Sequence, residues 1–170
     1  MRLQDRGGIF RSGESGSYSV DRAESCGMDI DADQLTETLA VRLAAVVPDG
    51  FHVRAADGML RYSADQGRFP GQLSNFHVGM SGTYVRDNLT AHGETTEDQV
   101  AGVAAQALDE LQEYVDEATH DPWPGTRTPP QPFAEVRSGV LHLWYGESDA
   151  TGPMVLACEP IPLVQIQGMP

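Results

Sequence analysis

Val100, Val103, Ala104, Ala107, Leu108, Leu111, Val115 and Ala118 recur at the spacing of one helix face. The opposite face holds Asp109, Glu110, Glu113, Asp116 and Glu117. A long amphipathic helix is therefore expected from Glu94 to about His120. Thr95 or Thr96 caps its start, and Asp121-Pro122-Trp123-Pro124-Gly125 stops it. Leu35, Leu39, Leu43, Val46 and Val47 form a second stripe, with Asp31 or Asp33 as N-cap and Pro48-Asp49-Gly50 as its end.

Between and after these helices the period changes from helical to alternating. Phe51, Val53 and Ala55 alternate with His52 and Arg54, and Asp57-Gly58 turns the chain into Met59-Leu60-Arg61-Tyr62. A third strand is expected where Phe76, Val78 and Met80 alternate with Asn75, His77 and Gly79; residues 81–94 are ambiguous in pattern, and a further short strand at Thr83-Tyr84-Val85 stays open. Phe133–Arg137 and Val140–Tyr145 make a hairpin about Ser138-Gly139, followed by a strand at Met154–Ala157. The prolines of Glu159-Pro160-Ile161-Pro162-Leu163 extend the ending along a sheet edge. The expected class is α+β, a two-layer sandwich: an antiparallel sheet of five or six strands with two helices on one face, in the order α-β-β-β-α-β-β-β.

Composition narrows the function classes. The chain has 170 residues, a net charge of -14 and no lysine. Arg2, Arg6, Arg11 and Arg22 balance Asp5, Glu14, Asp21 and Glu24, so the whole imbalance falls after Met28. Residues 1 to 27 read as a disordered extension, with Met28 as a natural start, and residues 28–170 as one α+β domain. Nucleic acid and anionic membrane surfaces are not expected partners of so acidic a chain. No run approaches the roughly 20 apolar residues of a membrane span. Two cysteines in dissimilar contexts, Cys26 and Cys158, suit a reducing cytoplasm.

No nucleotide-binding, metalloprotease, redox or nucleophile-elbow motif occurs, so no cofactor is expected. Gly79-Met80-Ser81-Gly82 lacks the elbow spacing. His120 suits the negative end of a helix without any catalytic role. Strand parity picks out a sharper feature. If the apolar strand residues face the helices, the other face carries His52, Arg54, Arg61, Asn75, His77, Arg137, His142 and Trp144, with Glu135 as its one acid. Such a face would take an anion or an acidic peptide, with Trp144 as apolar anchor. Its histidines match no zinc spacing, and no metal is expected. Trp123 is expected to plug the helix–sheet junction.

The acidic helix face offers the opposite chemistry. Like charges at these spacings cost roughly 0.2–0.5 kcal/mol each, which packing of a long helix offsets. It reads as a solvated face or as a ridge for a basic partner.

The Asp121-Pro122-Trp123-Pro124 junction, the Leu141-His142-Leu143-Trp144-Tyr145-Gly146 strand and the Pro160-Ile161-Pro162-Leu163 ending resemble a group of small acidic actinobacterial proteins, from about Leu35 to Leu163. That resemblance implies no activity. The element order is similar to the type III secretion chaperone-like fold, whose members are small, acidic, dimeric and bind partners. Here a proline-rich ending stands where that fold has a helix. The expected function is therefore a non-enzymatic cytoplasmic binding, adaptor or chaperone-like protein, for a basic protein partner or a second copy of the chain. Two alternatives stand beside it. One is a sensor or enzyme for a small anionic ligand on the Arg/His face; the other is an inhibitor or immunity-type protein.

Overall fold

The computed structural model describes residues 29–65, 68–69, 82–89, 95–125, 129–147 and 153–168. Helix α1 (Ala32–Ala44) starts at Asp31, whose carboxylate accepts the N–H groups of Asp33 and Gln34 at 2.9 and 3.1 Å. Leu35, Leu39 and Leu43 are its buried stripe. The helix stops short of Val46 and Val47, whose N–H groups both turn back to the Leu43 carbonyl. Helix α3 (Thr96–Thr119) is capped by the Thr95 hydroxyl, which accepts the Asp98 N–H at 3.1 Å. It ends where His120 adopts a left-handed conformation and bonds back to Asp116.

Strands β1 (Phe51–Ala56) and β2 (Met59–Ala64) form one antiparallel hairpin. Strands β3 (Gln131–Arg137) and β4 (Val140–Gly146) form another. Each turn has positive φ at both central residues, Asp57 and Gly58 in the first, Ser138 and Gly139 in the second. That geometry matches the twist of the strands it joins. The outer edge of β4 takes two short partners, β5 (Met154–Ala157) at one end and β6 (Ile161–Pro162) at the other. Between them the Cys158 N–H bonds the Leu143 carbonyl, and a 3₁₀ turn (Leu163–Ile166) follows.

The antiparallel α+β class expected from the periodicity is the observed one. The strands, however, divide between two sheets, β1–β2 and β3–β4–β5 with β6 beside β4. The edges explain the division. The outer edge of β2 is taken by the segment 82–84, through Leu60 N–H to Thr83 and a single bridge from Met59 to Tyr84. A Cβ on Gly82 would stand 1.9 Å from the Leu60 carbonyl oxygen, so only glycine permits that approach. Thr83-Tyr84-Val85 is therefore not a strand. It is one bridge leading into a short helix, α2 (Val85–Leu89). The strand expected at Asn75–Met80 and the extension at residues 1–27 lie outside the described residues.

The two long helices each cover a sheet, α1 on β1 and β2, α3 on β3 and β4, with α3 also reaching β2 and the short α2 packed against both helices. All eight apolar stripe residues of α3 are buried. They join Leu35, Leu39, Leu60, Leu141, Leu143 and Ile161 in one continuous core. Two tyrosines fasten the layers. Tyr62 of β2 donates to the Ala107 carbonyl at 3.0 Å, and Tyr145 of β4 donates to the next one, Leu108, at 2.7 Å. Leu108→Ala is expected to lower the free energy of unfolding by about 2–5 kcal/mol, measured by urea titration, because Leu108 is fully buried in the common core and its truncation leaves a cavity there.

Candidate functional site

The Arg/His face is assembled in two pieces. On the first sheet His52, Arg54 and Arg61 are exposed, while Phe51, Val53, Leu60 and Tyr62 alternate with them into the core. The His52 Nε2 lies 2.8 Å from Asp65 Oδ1, and Arg61 Nη2 donates to Asp57 Oδ2 at 3.2 Å. Arg54 and Arg61 stand directly opposite each other in the register. On the second sheet Arg137 pairs with Glu135, and His142 sits opposite that same glutamate. The two groups belong to sheets that share no strand pairing among the described residues. His77 and Asn75 lie outside the described residues.

Trp144, expected as an exposed anchor, is 2 % exposed. Phe133 is its cross-strand partner and stacks on it with centroids 5.8 Å apart. Its indole N–H donates to the Glu147 carbonyl at 2.8 Å, which satisfies the one polar atom that burial would strand. Trp123 does plug a junction: its ring meets Tyr145 edge-on at 5.1 Å.

The five acids of the α3 ridge, Asp109, Glu110, Glu113, Asp116 and Glu117, divide by what they touch. Glu110 accepts the Thr83 hydroxyl at 2.6 Å and the Gln106 amide at 2.8 Å. The Thr83 hydroxyl also lies 2.9 Å from the Tyr62 hydroxyl. Glu110 thus closes a chain of polar contacts that ties α3 to the 82–84 segment and to β2. This chain has no sequence signature, because Thr83 meets Glu110 only through the placement of 82–84 along the edge of β2. Asp116 accepts the Trp123 backbone N–H at 2.6 Å and so shapes the turn after the helix. Asp109, Glu113 and Glu117 are exposed. With Gln112, Asp116 and Pro129 they line a groove of about 500 Å³. Its floor is held by Gln112, whose amide donates to the Trp123 and Pro130 carbonyls at 2.7 and 3.1 Å.

A second cleft, of about 470 Å³, lies between α1 and the β1–β2 turn and includes Asp33, Glu37, Asp57 and Arg86. Arg86 Nη2 is already shared between both oxygens of Asp33, at 2.8 Å each. Neither cavity is lined by His52, Arg54, Arg61, Arg137 or His142.

The titration chemistry is that of a packed scaffold. Burial pushes the Cys158 thiol up to about 11 although Arg42 pulls the other way, so it stays protonated and a poor nucleophile. Burial likewise raises the Tyr62 hydroxyl, against its bond to Thr83, with the Glu110 charge adding to the rise. Tyr145 is raised by burial and then by Cys158, Tyr62 and the carboxylates Asp109 and Asp116. These shifts oppose the activation that a catalytic nucleophile needs. Among the described residues no group of three or more His, Cys, Asp or Glu could hold a metal ion, and no helix is long and apolar enough to cross a membrane.

No protein-family model, curated protein or solved structure matches the chain. The resemblances noted above rest on the quoted residues and the element order.

Burial raises the Asp116 carboxyl above its ordinary 3.8, partly offset by the Trp123 N–H. The native carboxyl then holds its proton more tightly than the unfolded one. Its contribution to stability rises as pH falls through the raised native value and levels off below the unfolded one. Asp116→Asn keeps an acceptor for Trp123 without the charge. It is expected to preserve stability at neutral pH and to remove this acid-side rise. Asp116→Ala should cost about 1 kcal/mol at neutral pH, since the Trp123 N–H loses its acceptor, and more at acid pH, where the rise is lost as well. Urea unfolding of both variants at neutral and acid pH measures each effect.

Proposed function

We propose that the protein is a non-enzymatic, cytoplasmic binding protein that receives a basic segment of a protein partner in the groove along α3. The observation that carries this reading is the groove itself, in which four carboxylates surround a floor fixed by Gln112. Seven of the 24 residues of α3 are acidic and none is lysine or arginine. An arginine fork entering it would find paired acceptors, the geometry in which charge-assisted hydrogen bonds are strong. Pro129 provides apolar surface for the stem of such a side chain. The alternative of a ligand pocket built from the whole Arg/His face draws less support, because that face is divided between two sheets and Trp144 is buried within its own.

The test is binding of an arginine-rich peptide, followed by fluorescence anisotropy over a range of salt. Asp109→Asn/Glu113→Gln/Glu117→Gln removes three charges and leaves Glu110 and Asp116 to their structural partners. It is expected to weaken binding about tenfold, at roughly 0.5 kcal/mol for each exposed pair. A control, Asp29→Asn/Asp49→Asn/Glu147→Gln, makes the same change in net charge elsewhere and should leave the affinity unchanged. Equal weakening in both variants would mean that net charge alone attracts the peptide, and the groove would not be its site.

A further inference from the structure

We infer that Arg54 and Arg61 together form a binding site for a phosphoryl group on the exposed face of the first sheet. This site is separate from the α3 groove and does not depend on it.

The two-residue turn sets the geometry. Leu60 sends its N–H outward to the Thr83 carbonyl, so the Ala55–Leu60 pair is not hydrogen-bonded within the hairpin. Its neighbour, Arg54–Arg61, is then a hydrogen-bonded pair, in which Cα atoms stand about 5.5 Å apart and both side chains leave the same face. Two guanidinium stems therefore rise side by side. Like charges placed directly across a ladder repel and weaken it.

The surrounding acids only partly relieve this repulsion. Asp57 reaches Arg61 through a single 3.2 Å contact, and its side chain is 86 % exposed. Asp65 is engaged by His52 at the far end of the strands. Arg54 meets no acid among the described residues. Ser63, opposite His52, adds a hydroxyl donor on the same face.

Charge selects the ligand class. A carboxylate neutralises one guanidinium, whereas a phosphomonoester carries close to two negative charges and three acceptor oxygens. It can accept paired N–H bonds from both arginines at once. A long polyanion is disfavoured, since the chain around this spot carries a net charge of -14. The ligand is thus one phosphoryl group, either free phosphate or a phosphomonoester.

The experiment titrates the full chain with inorganic phosphate and, separately, with O-phosphoserine, each against chloride at matched ionic strength. Arginine Nε–H resonances are followed by NMR. Saturable shifts confined to Arg54 and Arg61 are expected. Tighter binding of phosphoserine identifies a phosphomonoester as the ligand, and equal binding identifies free phosphate. Arg61→Gln should weaken either probe roughly tenfold, having lost one charge-assisted pair. Arg54→Glu should abolish binding. The same variant should raise the thermal midpoint by about 1–3 °C by turning the repulsive pair into an attractive one, so lost binding could not come from lost folding. Shifts that chloride reproduces, or saturable binding that survives Arg54→Glu, would overturn the site.

Discussion

The structure depends on the burial of one stripe of α3 against two sheets at once. Val100, Val103, Ala104, Ala107, Leu108, Leu111, Val115 and Ala118 are all buried, and α3 packs on strands of both sheets. The tyrosine hydroxyls make the attachment specific. Tyr62 and Tyr145 come from different sheets and reach consecutive carbonyls of the same helical turn. A carbonyl oxygen has two lone pairs, so Ala107 and Leu108 can accept these bonds without losing their helical ones. Each hydroxyl would be costly to bury unpaired, which sets the rotation of α3 over both sheets as well as its depth.

That arrangement determines which chemistry remains at the surface. With one side of α3 consumed by packing, its acids must share the other, and they take different work. Glu110 and Asp116 look inward to Thr83 and Trp123, while Asp109, Glu113 and Glu117 stay outward. A run of carboxylates that looks uniform in the sequence is therefore part scaffold and part surface. On the first sheet the same alternation that buries Phe51, Val53 and Tyr62 places His52, Arg54 and Arg61 outward. Two arginines are thereby set directly opposite each other on one small face of an acidic protein.

Edges account for the rest of the topology. An open strand edge invites pairing with other chains. Here β2 is covered by the 82–84 segment, and β4 by β5 and β6 in succession. The break between β5 and β6 falls at Glu159-Pro160, where proline has no N–H to offer a ladder. The covering pieces are short, and only β5 is a hydrophobic run in its own right. Their positions follow from the edges they complete.

Local periodicity was sufficient for much of this protein. The capping positions to within two residues (Asp31 or Asp33, Thr95 or Thr96), the stop near His120, the turns at Asp57-Gly58 and Ser138-Gly139, and the inward faces of four strands are all written in near-neighbour spacing; the structure settles the caps on Asp31 and Thr95. Such spacing is a property of the backbone geometry itself. The outward positions of His52, Arg54 and Arg61 follow from the same parity. The division into two sheets does not, because both arrangements bury identical faces and differ only in which edges pair. Trp144 shows the limit most clearly. Parity assigns it correctly to the face away from the helices, yet Phe133 and the Glu147 carbonyl enclose it there. Glu110 shows the same for charge, since its partner Thr83 arrives from 27 residues away. Spacing along the chain determined which way each side chain points; only the tertiary structure decided what it meets, because contacts between distant segments depend on edges and packing that no local period encodes.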